Sequence, residues 1–335
     1  MGQTRKPPIQ PLEPMADDAY YGEPRKRSER MDEMSNPLDR NIVLVTGKGG
    51  VGKSTVSAVL ARRAAADGKR VLLVEIESIS RAAPLFGVDS IDSTPREVAP
   101  NISLLSLDAL SSLRVFASQQ LRLETLVNMA LRNDTVRNFF LAMPAIKSIL
   151  FLYHLWRIEV EHGPRGDNRF DVMICDLPTT GFVVGLYGVP NTLRQIFRSG
   201  PLAGYALGME SMLFDPDRCA LVVVTLAEEM PVIESIELLQ TLRERHRLRD
   251  ATVVVNAIYP KLIESEEVEQ LRRSFADNND ADAVLWAAGL LANRAERAQR
   301  LLPMLRETFG DRVIELPHLF KRQLPLSAID ELSEQ

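Results

Sequence analysis

Short, almost uninterrupted apolar runs alternate along this chain with longer stretches whose apolar residues recur every three or four positions. The runs are NIVLVT (41–46), RVLLVEI (70–76), NISLLSL (101–107), FDVMICD (170–176), CALVVVTL (219–226), ATVVVNAI (251–258) and RVIELP (312–317). Continuous apolarity over five to seven residues marks a strand buried on both faces, as in a covered parallel sheet. Between the runs lie helical patterns, for example KSTVSAVLARRAAADG (53–68) and PVIESIELLQTLRERHRL (231–248). Strand and helix in alternation predict an α/β fold with a doubly wound, mostly parallel sheet.

One region departs from the alternation. From about 107 to 162 no strand pattern stands out, while Leu110, Leu113, Leu121, Leu126 and Val127, then Ile146, Ile149, Leu150 and Leu152, recur at helical spacing. A helical insertion is expected there, its apolar side mainly core. Its run SILFLYHLW (148–156) contains His154 and falls short of the roughly 20 apolar residues a membrane span needs. Residues 1–38 are rich in Pro and charge and poor in apolar groups, which predicts a disordered, solvated tail. Its basic cluster RKRSER (25–30) is offset by neighbouring acids. The rest, 39–335, reads as one domain carrying the insertion.

The first apolar run opens into TGKGGVGKST. Gly47, Gly52, Lys53 and Ser54 fit G-x-x-x-x-G-K-[ST], with a buried strand before and a helix after. In such a P-loop the backbone N–H groups of Gly49, Gly50, Val51, Gly52 and Thr55 turn toward phosphates, and the helix adds its positive dipole end. Lys53 is placed to neutralise the β- and γ-phosphates of ATP, and the Ser54 hydroxyl to hold Mg²⁺. Asp176, ending the run 170–176, stands where a strand-terminal carboxylate holds Mg²⁺ directly or through water. An aspartate that merely caps the turn is the simpler alternative for that residue.

Lys48, directly after the first glycine, gives the loop a deviant form. It resembles the loop of the ATPases that include the MinD and ParA proteins, the nitrogenase iron protein and the ArsA-type ATPases. Further stretches resemble the ArsA type: DLPTTGFVVGLYGVP after Asp176, VVVTLAEEMPVIES, VVVNAI, and VIELPHLFKRQLPLSAIDEL. The resemblance covers about 41–332. It implies P-loop NTPase topology, bound ATP and Mg²⁺, and a nucleotide-sandwich homodimer, or a heterodimer with a related ATPase. Within that dimer Lys48 would reach the partner's phosphates; an ordinary exposed loop lysine is the alternative. It also implies adenine reading by Asn256, where a turn asparagine competes, and a nucleotide contact at Pro317 in the proline loop.

The chain departs from the family pattern at its switches. Glu75 and Glu77 stand where D-x-D occurs, and the Pro, Ala and His that follow are absent. Glu77 either positions the attacking water or is a loop acid without that role; a misplacement of about 1 Å costs roughly a hundredfold in rate. Phe182 replaces the His after P-T-G. The cysteines of metalloid binding and the C-x-x-C zinc pair of tail-anchored-protein targeting factors are both missing. Met209, Met212, Leu213 and Phe214 could line a client groove or belong to the core.

Composition narrows the field further. A net charge of −5 argues against bulk nucleic-acid binding. Two distant cysteines, Cys175 and Cys219, and a first segment without an apolar run point to a reducing, cytoplasmic setting with only indirect membrane contact. The leading expectation is an Mg-dependent ATPase whose nucleotide-closed dimer acts on a protein client. The alternatives are a nucleotide-binding regulatory or scaffold subunit with little hydrolysis, and a ParA/MinD-like positioning ATPase, against which the acidic end SAIDELSEQ counts.

Overall fold

Each apolar run sends its side chains alternately to the two faces of one sheet. In the computed structural model, Ile42, Leu44, Leu72, Val74, Met173, Cys175 and Val223 enter one core. Their neighbours Val43, Val45, Val71, Leu73, Val172, Ile174 and Val222 enter the other. This two-sided burial is why the runs show no polar alternation. The structure describes residues 36–76, 80–91, 93–107, 143–162, 167, 169–246, 248, 250–275, 281–321 and 325–334, with 112, 113, 116, 129 and 132–134 between.

The strands are β1 (Ile42–Gly47), β2 (Val71–Glu75), β3 (Arg96–Ala99), β4 (Ile102–Ser106), β5 (Val172–Asp176), β6 (Cys219–Leu226), β7 (Thr252–Ile258) and β8 (Val313–Pro317). They form one sheet in the order β3-β4-β2-β5-β1-β6-β7-β8. Among the described residues only β3 and β4 pair antiparallel; the other six pairings are parallel. The expected α/β sheet is therefore present, with one strand that the hydrophobic pattern did not reveal. β3, REVA, is short, starts with two exposed residues and closes the edge. Such an edge strand need not be apolar.

Helices cover both faces. α1 (Lys53–Ala66) and α8 (Leu326–Ser333) pack on one side, joined at their surface by Arg62 Nε to Asp330 Oδ1 at 2.5 Å. On the other lie α2 (Pro144–His162), α3 (Thr180–Ile196), α4 (Pro201–Phe214), α5 (Glu229–His246) and the second half of α7 (Asp282–Phe309), with α6 (Ser265–Ser274) beside α7. Met209, Met212 and Leu213 are fully buried in the core, so they line no open groove. Packing of the chain begins a little before residue 39: Asn36 caps a short 3-10 turn at Pro37–Asp39, and Leu38 is buried. Residues 1–35, most of the expected tail, lie outside the described residues. So does most of 107–162 before α2.

Polar clasps hold the end of the sheet opposite the loops. Arg70 donates from its backbone N (2.8 Å) and Nε (2.9 Å) to Asp171 Oδ2 and from Nη2 to Oδ1 (2.7 Å). That contact holds the Asp171 carboxyl below its usual range and raises the arginine. Deeper, Arg218 Nη2 donates to Glu159 Oε2 at 2.7 Å, and Asn41 Nδ2 donates to Oε1 at 3.3 Å. A buried ion pair with this many partners avoids the cost of an unpaired charge.

α2 forms as its sequence predicts, with Leu150 to Tyr153 and Leu155 buried. Its His154 ring is pulled down to about 4, chiefly by burial and also by Arg157, while Nε2 sits 3.1 Å from the Ser112 carbonyl. An unfolded histidine takes its proton near 6.5. Between these values the unfolded chain binds the proton that the folded chain refuses, so stability falls as pH falls through that window. We expect a loss of about 2 kcal/mol between about pH 7 and pH 5. Urea midpoints at both pH values, in the parent and in His154→Gln, measure it; the variant should show a flatter dependence.

Candidate functional site

The loop's shape follows from its glycines. Gly47 ends β1 with φ 151°, and a Cβ there would meet the Val224 carbonyl oxygen of β6 at 2.1 Å. Gly52 has φ 91°, and its Cβ would lie 2.3 Å from Asn256 Nδ2. Positive φ and such close approach both select glycine. Between them Val51 points into the core, while Gly49 and Gly50 are exposed. The loop thus doubles back over the first turn of α1, whose N-cap is Gly52 and which bears Lys53, Ser54 and Thr55.

Parallel pairing brings the other groups to the same edge. Register places Asp176 beside Glu75 on one side and Val45 on the other. Ser54 Oγ donates to Asp176 Oδ2 at 2.5 Å. Lys53 is almost wholly buried, and its Nζ donates to the Lys48 carbonyl at 3.1 Å, closing the loop on itself. Lys53, Ser54, Glu75, Arg81, Asp176 and Pro178 surround one pocket. A hydroxyl and a carboxylate oxygen in contact, next to a lysine, are a hard-oxygen pair that fits Mg²⁺. The ion characteristically takes one or two protein oxygens plus phosphate and water. Among the described residues there is no cluster of three or more His, Cys, Asp or Glu that could hold a metal.

Other expected site residues take the following positions. Lys48 Nζ pairs with Glu234 Oε1 of α5 at 2.5 Å, both side chains about one-third exposed. Asn256, near the end of β7, donates from Nδ2 to the Val51 carbonyl at 2.9 Å and accepts from Ala257 N at 2.9 Å. It fastens the loop from behind, and each end of its amide keeps one further hydrogen-bonding position. Pro317 lies one strand further out, opposite Ile258. Glu77 lies outside the described residues.

Three features of the site were not read from the sequence. Glu75 is buried and clamps the chain after β2: Oε1 accepts from Arg81 N and Ala82 N, each at 2.9 Å, and Oε2 accepts from Ser80 Oγ. Phe182, at the start of α3, packs edge-on against Phe151 of α2 with centroids 6.1 Å apart. Beyond Asn256, Tyr259 and His318 stack at 4.2 Å, with the exposed Phe320 ring edge-on to both and the Arg294 guanidinium 4.7 Å from the tyrosine centroid. Burial, with Arg294 nearby, lowers the His318 pKa. The only advance sign of that cluster is an aromatic or histidine directly after each of two strand ends.

Comparison with known proteins agrees with this geometry. The sequence model of the anion-transporting ATPase family, ArsA_ATPase, matches residues 40–200, from β1 through α3. The ATPase BagA of Mycobacterium tuberculosis is 27% identical over 252 residues, covering 74% of each chain. An arsenical pump-driving ATPase of Acidiphilium multivorum is 28% identical over 235 residues, 64% of this chain and 39% of that protein. One from Escherichia coli is 29% identical over 243 residues, with the same coverage. By its loop and by these matches, the chain is similar to the ArsA-type ATPases, from which it has diverged.

Proposed function

We propose that this chain is a Mg²⁺-dependent ATPase that closes as a dimer on nucleotide and, when closed, acts on a protein partner. The observation that carries the reading is the convergence of Lys53, Ser54 and Asp176 at one edge of the sheet, with Ser54 Oγ 2.5 Å from Asp176. Ser54 and Asp176 would hold Mg²⁺, which supplies charge neutralisation on the terminal phosphates when bound. Lys53 orients the β- and γ-phosphates, and the loop's N–H groups donate to the remaining phosphate oxygens. Asn256 has spare amide positions for an adenine edge, and the Tyr259–His318 pair presents flat rings nearby.

Lys48 carries the dimer part of this reading. To reach a partner's phosphate it must leave Glu234. An ion pair this exposed is worth about 0–1 kcal/mol, so a phosphate can displace it. Sedimentation velocity with a non-hydrolysable ATP analogue and with ADP tests this. The parent should dimerise with the ATP analogue only. Lys48→Ala should stay monomeric, and Glu234→Gln should dimerise up to about fivefold more readily. A chain that is monomeric in every nucleotide, or a Lys48→Ala variant that dimerises as well as the parent, would overturn the proposed closure.

A second reading, a nucleotide-held regulatory subunit with little turnover, is favoured by the two altered switch positions. The Glu75 carboxylate is committed to the backbone at 81 and 82, and Phe182 is packed against Phe151. Both positions are thereby tied to the core.

A further inference from the structure

We propose that Arg81 is a second phosphate-binding cation of this site, supplied by the chain to its own nucleotide, and that it distinguishes a triphosphate from a diphosphate. The inference rests on the ATPase reading above and deepens it. Arg81 lies on the wall of the pocket that Lys53, Ser54 and Asp176 also line, the end of the site where Mg²⁺ and the terminal phosphate belong.

Its position is built rather than incidental. Glu75, only 2% exposed, accepts from the backbone N–H of Arg81 and of Ala82, each at 2.9 Å. Ser80 donates its hydroxyl to the same carboxylate and accepts from Ala83 N at 2.9 Å. Ala82 and Ala83 are completely buried, which seats the turn on the core. The backbone at residue 81 is therefore held from both sides, while its side chain is exposed at the pocket. A buried carboxylate that grips two successive N–H groups gives the following residue little freedom to swing away.

Charge supplies the reason for a second cation. Lys48, the loop's additional lysine, is engaged by Glu234 in this conformation. Lys53 and one divalent ion leave a triphosphate facing Asp176 with excess negative charge. A guanidinium matches phosphate oxygens with two parallel donors, which an ammonium cannot do. Placed at the γ-phosphate, it does the work of an arginine finger without a second protein.

The experiment is calorimetric binding of Mg²⁺ with a non-hydrolysable ATP analogue, and of Mg²⁺ with ADP, to the full chain and to Arg81→Ala and Arg81→Lys. Arg81→Ala should weaken the analogue roughly tenfold to a hundredfold and ADP by less than about twofold. Arg81→Lys should fall between, since it keeps the charge and loses the fork. Retained ADP binding shows that each variant is folded. An unchanged affinity for the analogue, or equal losses for both nucleotides, would overturn the role of Arg81 while leaving the ATPase reading intact. A parent chain that binds neither nucleotide would overturn both.

Discussion

Lys53→Ala is expected to lower ATP hydrolysis at least a hundredfold and to weaken nucleotide binding roughly tenfold or more. Two roles of one side chain are lost together. The ammonium is the charge nearest the expected β/γ-phosphates, and preorganised charge at a phosphoryl centre is the largest catalytic contribution in such sites. Lys53 Nζ also donates to the Lys48 carbonyl at 3.1 Å, so in this conformation it spans the loop it serves. The fold should survive, because the lysine lines the pocket rather than the hydrophobic core and its helix is anchored by Val56, Ala58 and Ala61. Steady-state phosphate release and equilibrium binding, measured beside a thermal melt, separate lost chemistry from lost structure. Arg rather than Ala at this position should not rescue, since the planar fork replaces a compact ammonium in a nearly closed space.

Gly47→Ala should have the largest effect on stability. Its Cβ would stand 2.1 Å from the Val224 carbonyl oxygen, a backbone atom at the loop end of the β1–β6 ladder. Relief requires the two central strands to part, and φ 151° adds strain for any side chain. Overpacking and strain together suggest about 3–5 kcal/mol, or roughly a 10 °C fall in melting temperature for a chain of this size. Gly49→Ala is the matched control. Nothing lies within 4 Å of its added Cβ, so its melt should stay within about 1 kcal/mol of the parent. Similar melts for the two variants would contradict the close packing of β1 on β6.

The sequence made the strands legible for a specific reason. Six of the eight, β1, β2 and β4 to β7, are largely buried on both faces, so each reads as a continuous run that ends where its loop begins; β8, at the far edge with Ile314 and Glu315 exposed, was still read from its Val, Ile and Leu. β3 escaped because REVA sits at the edge and half exposed. The phosphate loop was legible because its glycines, lysine and serine are adjacent in the chain. Contacts made by distant residues were not: Lys48 and Glu234 are 186 positions apart, and Asn256 meets Val51 across 205. Nothing local to either residue announces its partner. Glu75 was visible only as an acid standing where another acid was expected. That it grips the backbone at 81 and 82, and so fixes Arg81 at the pocket, follows from the turn's path and not from the residue's type. Phe182 illustrates the same limit. The sequence showed only that a phenylalanine replaces the histidine after P-T-G, while its packing on Phe151 needed the helices in place.

The most direct test of the central claim is single-turnover hydrolysis of Mg²⁺-ATP by the purified full chain in excess over nucleotide, with Lys53→Ala in parallel. Conversion of the bound ATP to ADP and phosphate by the parent, abolished in the variant, is the result this account predicts. Tight binding of ATP with no conversion would contradict hydrolysis and leave a nucleotide-held regulatory subunit. Failure of the parent to bind ATP would contradict the site itself.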